Sequence, residues 1–295
     1  MSKTRRLIRV AAAIVLLCGV IQAAGQEFRP LERTVSFRGI KRSYFVALPD
    51  RYDPQKSYWP LVFIHGGAGN VQTNSKAIAM REIADKEGLP AILILPEFVT
   101  KDKQVSRFPE LGEADFLLEV MNEAHKEFRL HDKLLLAGYS MGGQCAHRFA
   151  LAHPDQVMAC APSAAGTWTT PDGRFLVEDY GEVKDPAKFL TDNSNKSAIP
   201  DRLHDLFDPR VAAVAGTPAA KGAKSVPFLI MCGTLDSRYS IAVEFAASLQ
   251  ARGFTVETEW PVTPHGSNSS QYKAEFRKYS ERAVQFFNRI VNAKE

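Results

Sequence analysis

The stretch Leu134-Leu-Leu-Ala-Gly138-Tyr-Ser140-Met-Gly142-Gly143 restricts this chain more than any other. An apolar run of strand length stops at Gly138, and a helical pattern begins after Ser140. A G-x-S-x-G corner turns strand into helix so tightly that the serine is held in a strained conformation with its hydroxyl pushed outward. Gly138 and Gly142 are the small residues that such a turn requires on either side, and Gly143 lets the new helix lie close on the sheet. The helix N-terminus then points backbone N–H groups toward any anion formed at Ser140.

The rest of the chain supplies the setting that this corner needs. Strands are expected over Arg42–Leu48, Pro60–Ile64, Ala91–Leu95, Val157–Ala161, Val226–Cys232 and Phe254–Trp260, with a short lead-in before the first. Helices are expected over Ser75–Lys86, Glu113–Phe128, from the corner to Ala152, and over Ile241–Arg252 and Gln271–Val291. Strands alternating with helices build a mostly parallel sheet covered on both faces, so the fold class is α/β. The alternation breaks from Pro162 to Ser225, which is rich in Pro, Gly and Asn and offers only short helical candidates such as Ala198–Phe207. That length is too great for a structureless loop, so it reads as a cap-like insertion, or pocket wall, following the sixth strand. Trp168, Phe175, Tyr180 and Phe189 within it are candidates for a pocket lining or for a small core of its own.

Ser140, Asp236 and His265 each fall just beyond an expected strand, in the order nucleophile, acid, histidine. Parallel strands bring their C-terminal ends to one edge, where residues distant in sequence can meet. An unaided serine hydroxyl is a poor nucleophile; His265 would take its proton, and Asp236 would hold the imidazole in the right tautomer. Glycines in His65-Gly66-Gly67-Ala68-Gly69-Asn70, just past a buried strand, allow backbone amides to approach an oxyanion. Met141 N–H and Gly67 N–H are the expected donors. Asp236 could instead cap the following helix; Asp205 and Asp208 are the alternative acids, but neither follows a strand. His125, His131, His147 and His153 lie in or beside expected helices, His204 lies in the insertion, and His65 belongs to the oxyanion segment. The sequence holds no clustered metal ligands, phosphate-cradling loop or dinucleotide fingerprint, so neither a metal nor a cofactor is expected.

The N-terminus reads as an export signal. Lys3, Arg5, Arg6 and Arg9 precede an apolar run from Val10 to Ile21, followed by the small residues Ala23-Ala-Gly25. Residues 1–25 are therefore expected to be a signal peptide and 26–295 a single domain, secreted or periplasmic, that meets a membrane only during export. The signal carries four of the 37 Lys and Arg residues, which leaves 33 against 33 Asp and Glu. A neutral mature protein gives no reason to expect nucleic acid as a partner. Of four cysteines, Cys145, Cys160 and Cys232 remain after cleavage, and the residues leave a Cys160–Cys232 pairing open.

Arg42-Ser-Tyr-Phe-Val-Ala-Leu-Pro49, Tyr52-Asp-Pro54, Pro60-Leu-Val62, His65-Gly-Gly-Ala-Gly-Asn70 and Gly138-Tyr-Ser-Met-Gly-Gly143 together carry a resemblance. From about residue 34 to residue 290 the chain resembles an α/β-hydrolase of the exported esterase branch that includes feruloyl esterases and poly(3-hydroxybutyrate) depolymerase-like proteins. The resemblance implies the α/β-hydrolase fold and serine-dependent hydrolysis of carboxylic esters. The substrate would be a small-molecule or polysaccharide-linked ester, such as a feruloyl or acetyl ester of plant polysaccharide, or polyester oligomers. Two other classes stand beside it. A serine peptidase of prolyl-oligopeptidase type would keep the triad, although no propeller domain is visible; a non-catalytic binding protein on the same scaffold would be favoured by a missing triad member, and none is missing.

Overall fold

In the computed structural model, which describes residues 28–66, 75–98, 113–191, 216–266 and 270–293, the first half of the chain runs β1 (Leu31–Phe37), β2 (Ile40–Ala47), β3 (Trp59–Ile64), α1 (Ser75–Lys86), β4 (Ala91–Pro96), α2 (Glu113–Glu127), β5 (Leu134–Tyr139), α3 (Met141–Ala152) and β6 (Val157–Ser163). A small unit follows: β7 (Thr167–Thr169), β8 (Phe175–Val177), β9 (Gly181–Val183) and α4 (Pro186–Thr191). The chain closes with β10 (Phe228–Met231), α5 (Tyr239–Ala251), β11 (Val256–Glu259) and α6 (Lys273–Asn292).

Eight strands form one sheet in the order β1-β2-β4-β3-β5-β6-β10-β11. The pairs β1/β2 and β2/β4 are antiparallel, and the remaining pairs are parallel. Central strands β3 to β6 are buried at every position because helices cover both faces, which is why they read as unbroken apolar runs. Helix α6 turns Tyr279, Ala283, Phe286, Phe287 and Val291 inward at helical spacing and packs beside α1, where Ser280 Oγ donates to the Lys76 carbonyl at 3.0 Å. Among the described residues no helix is long and apolar enough to cross a membrane.

The expected lead-in is a strand. Arg38 (φ 51°) and Gly39 (φ 78°) form a two-residue turn with both φ positive, the geometry that matches the twist of a hairpin and pairs Phe37 with Ile40. Strand β1 escaped the sequence pattern because Val35 is its one buried residue.

The insertion begins as a three-stranded antiparallel unit, β7-β8-β9. Trp168 and Phe175 are fully buried, and Trp168 stacks on Phe245 of α5 at 4.4 Å and 22°. These two aromatics therefore build core, while Tyr180 meets Phe189 edge-on at 5.2 Å. The helix expected over Ala198–Phe207 lies outside the described residues. Cys145, Cys160 and Cys232 are buried, and none of them is in a disulfide. Cys160 stands opposite Phe228, and Cys232 is four residues further along, about 13 Å at strand rise, beyond the roughly 7 Å reach of a disulfide.

His147 ties the insertion to α3. Its Nδ1–H donates to the Gly143 carbonyl at 2.9 Å, and its Nε2 accepts the Thr169 N–H at 3.0 Å. His65 repeats the pattern: Nδ1–H donates to the Gly66 carbonyl at 2.7 Å, and Nε2 accepts the Phe98 N–H at 3.3 Å. Burial pushes both imidazoles below their ordinary range, His147 well below it, with the Arg148 charge adding to the effect.

Both histidines are thus neutral in the folded chain, whereas the unfolded chain protonates them near pH 6.5. Stability from these sites is present above that pH and is lost as pH falls through it, by up to about 1.4 kcal/mol per pH unit for each histidine. Urea denaturation from pH 8 to 5 is expected to show this decline, with a slope shallower by about one proton in His147→Asn. A second prediction concerns Gly233, where an added Cβ would lie 1.9 Å from the Thr263 carbonyl oxygen. Gly233→Ala is expected to cost about 3 kcal/mol in the same assay, at the upper end for overpacking, because backbone blocks the new methyl.

Candidate active site

Strand β5 ends at Tyr139, and Ser140 stands in the turn before α3 with φ 56° and ψ −118°, an unfavourable conformation for a residue with a side chain. Close packing imposes it. An added Cβ on Gly138 would lie 2.1 Å from the Gly142 carbonyl oxygen, and one on Gly142 would lie 2.0 Å from the Ile64 carbonyl oxygen at the end of β3. The Ser140 N–H donates to the Ser163 carbonyl at 2.9 Å, which ties the turn to the end of β6. Its side chain caps nothing, so the hydroxyl is left for other work.

Asp236 and His265 follow the neighbouring strands β10 and β11, whose parallel pairing delivers both loops to the same sheet edge. His265 Nε2 lies 3.2 Å from Ser140 Oγ, and His265 Nδ1 lies 2.8 Å from Asp236 Oδ2. The Asp236 side chain is 1% exposed and that of His265 is 27% exposed, so the carboxylate is shielded while the imidazole still reaches solvent. With Nδ1–H donated to the carboxylate, Nε2 is the acceptor for the serine proton, the arrangement required for general-base activation of a nucleophile.

Asp236 is also held on its far side. The Arg238 N–H donates to Asp236 Oδ1 at 3.1 Å, and Arg238 Nη2 pairs with Glu178 Oε2 at 2.9 Å. Glu178 Oε1 accepts the Ser237 hydroxyl at 2.6 Å. One buried carboxylate of the insertion, on the residue just after β8, therefore grips both residues that follow Asp236. Sequence reasoning missed this brace: Glu178 and Arg238 stand beside other polar residues, Asp179 and Ser237, so the local sequence carries no signal of it.

Of the expected oxyanion donors, Met141 opens α3, whose first N–H groups have no intrahelical acceptor. Gly67 lies outside the described residues. Its neighbour Gly66 does approach the nucleophile: a Cβ there would stand 3.4 Å from Ser140 Cβ. The competing histidines lie elsewhere. His131 stacks on Trp59 at 4.1 Å, His153 ends α3, and His147 is consumed by its two backbone partners. His204, Asp205 and Asp208 lie outside the described residues.

The Arg238–Glu178 pair, with side chains 9% and 2% exposed, is tested by removing one charge. Glu178→Gln leaves a guanidinium buried without its carboxylate and is expected to cost about 3–5 kcal/mol in urea denaturation, with much of the loss recovered in Glu178→Gln/Arg238→Met. A single-variant loss below about 1 kcal/mol would show that the pair is solvated.

No protein-family profile matches the chain, and no curated protein matches it. Solved structures do. An S-formylglutathione hydrolase from Staphylococcus aureus superposes with a TM-score of 0.57 at 18% identity, over 90% of this chain and 99% of that one. A ferulic acid esterase gives a TM-score of 0.65 at 17% identity, over 89% and 98%. Est1E from Butyrivibrio proteoclasticus gives 0.54 at 16% identity, over 88% and 99%. At these identities the likeness is one of architecture. The chain has the α/β-hydrolase fold.

Proposed function

We propose that this protein is a serine ester hydrolase that cleaves carboxylic esters through an acyl-enzyme. The observation that carries the reading is the continuous relay Ser140 Oγ to His265 Nε2 at 3.2 Å and His265 Nδ1 to Asp236 at 2.8 Å, built on a positive-φ serine. Ser140 attacks the ester carbonyl as His265 takes its proton. The resulting oxyanion is met by the N–H of Met141 and by that of Gly67. His265 returns the proton to the leaving alcohol, and the acyl group stays on Ser140. Water activated by the same imidazole then releases the acid. Asp236 keeps the imidazole in its working tautomer and stabilises the imidazolium at each step.

For the natural substrate we favour a feruloyl or acetyl ester of plant polysaccharide, with polyester oligomers second. Structural neighbours that include a ferulic acid esterase support that order. Basic residues Lys3 to Arg9, the apolar run Val10–Ile21 and the small residues Ala23-Ala-Gly25 support export to the periplasm or medium.

The test is hydrolysis of p-nitrophenyl acetate and butyrate, methyl ferulate, a hydroxybutyrate oligomer and a prolyl amide by the parent protein and by Ser140→Ala. Ester turnover that vanishes in the variant is the expected result, with the preferred ester defining the substrate class. Asp236→Asn is expected to lower kcat by about 10⁴ with the fold intact. Amide turnover exceeding ester turnover, or ester turnover that survives Ser140→Ala, would overturn the reading.

A further inference from the structure

We propose that Tyr139, the residue immediately before the nucleophile, is a positioning residue that sets the plane of the His265 imidazole. A hydrogen bond from Nδ1 to Asp236 fixes one ring atom but leaves the ring free to rotate about that bond. Its plane needs a second restraint, because Nε2 must face Ser140 Oγ in one step and the leaving alcohol or incoming water in the next. Misplacement by a fraction of an ångström at such a point is expensive.

Tyr139 supplies that restraint in two ways. Its ring lies nearly parallel to the imidazole, with centroids 5.2 Å apart and planes inclined by 13°. Its phenol oxygen accepts the Gly266 N–H at 3.1 Å and lies 3.5 Å from His265 Nδ1. One side chain therefore holds the face of the imidazole and the backbone just beyond it. That backbone needs holding, since Gly266 has φ 61° and its loop carries the base away from strand β11.

The tyrosine is itself immobilised. It is 7% exposed, Tyr279 of α6 meets its ring edge at 5.7 Å and 78°, and Lys76 Nζ sits 3.8 Å from its centroid and 4.7 Å from that of Phe276. Being the last residue of β5, Tyr139 shares the rigid backbone that sets Ser140, so nucleophile and base take their positions from one two-residue segment. An aliphatic residue would fill the space but would present no flat face and no acceptor for Gly266.

Two variants separate these contributions. Tyr139→Phe keeps the ring face and loses the Gly266 acceptor, while Tyr139→Leu loses both. On p-nitrophenyl butyrate, kcat is expected to fall about tenfold in the first and about a hundredfold in the second, with KM within about twofold of the parent. Proton NMR gives a readout that needs no substrate. The downfield resonance of the His265 Nδ1 proton is expected to be sharp in the parent and to broaden in the same order. The kinetic arm rests on the esterase reading, but the resonance does not. A parent without Ser140-dependent turnover would sink that reading alone, and the spectrum would still decide the role of Tyr139. A folded Tyr139→Leu with parental kcat and an unchanged resonance would overturn the inference. Should that variant fail to fold, an unchanged kcat and spectrum in Tyr139→Phe would overturn it instead.

Discussion

Holding Ser140 at positive φ costs on the order of 1–3 kcal/mol, and the molecule is built so that this conformation has no cheaper alternative. Relaxing the turn would move α3 off β5 and β6, or pull the Gly142 backbone from the end of β3, where there is room for a hydrogen but not for a methyl group. Packing of a whole helix against the sheet centre thus opposes the strain of one residue. The result is the Ser140 hydroxyl standing beside the opening N–H groups of a helix.

The partners of the serine depend on the same sheet. Strands β10 and β11 run parallel, so their following loops emerge together, and Gly233 lets those loops touch at the Thr263 carbonyl. Hydrogen bonds from Thr234 N–H to the Pro261 carbonyl at 2.9 Å and from Leu235 N–H to the Thr263 carbonyl at 3.3 Å extend the contact toward Asp236 and His265. Glu178 then reaches in from the insertion to hold the residues after the acid. Asp236 and His265 are therefore placed by backbone pairing, and the insertion braces the residues that follow Asp236.

Histidine shows how environment divides one residue type into roles. His265 stays partly exposed with a carboxylate on one nitrogen and a hydroxyl on the other, which suits proton transfer. His65 and His147 are buried between a carbonyl and a backbone N–H, so each is fixed as a neutral spacer that protonation would break. Nothing in the local sequence around His147 distinguishes it from a solvated helix histidine; its partner Thr169 is 22 residues away.

What the sequence by itself determined was the set of strands and helices with strong periodicity and the three side chains, Ser140, Asp236 and His265, that the fold brings into hydrogen-bond reach. Unbroken apolar runs fit only strands buried on both faces, the glycines around Ser140 fit only a tight strand-to-helix corner, and the order of Ser140, Asp236 and His265 after successive strands places them on one edge. Such signals are local, so they survive without knowledge of neighbours. Strand β1, with one buried residue, and the three-residue strands β7, β8 and β9 carried too short a pattern to read. Only tertiary structure decided that Trp168 and Phe175 build core, that Cys160 and Cys232 stand out of reach, that Glu178 braces the acid and that Tyr139 faces the base. Each of these depends on register or on the facing of two elements far apart in the chain, which packing of the whole sheet settles and no single stretch of sequence encodes.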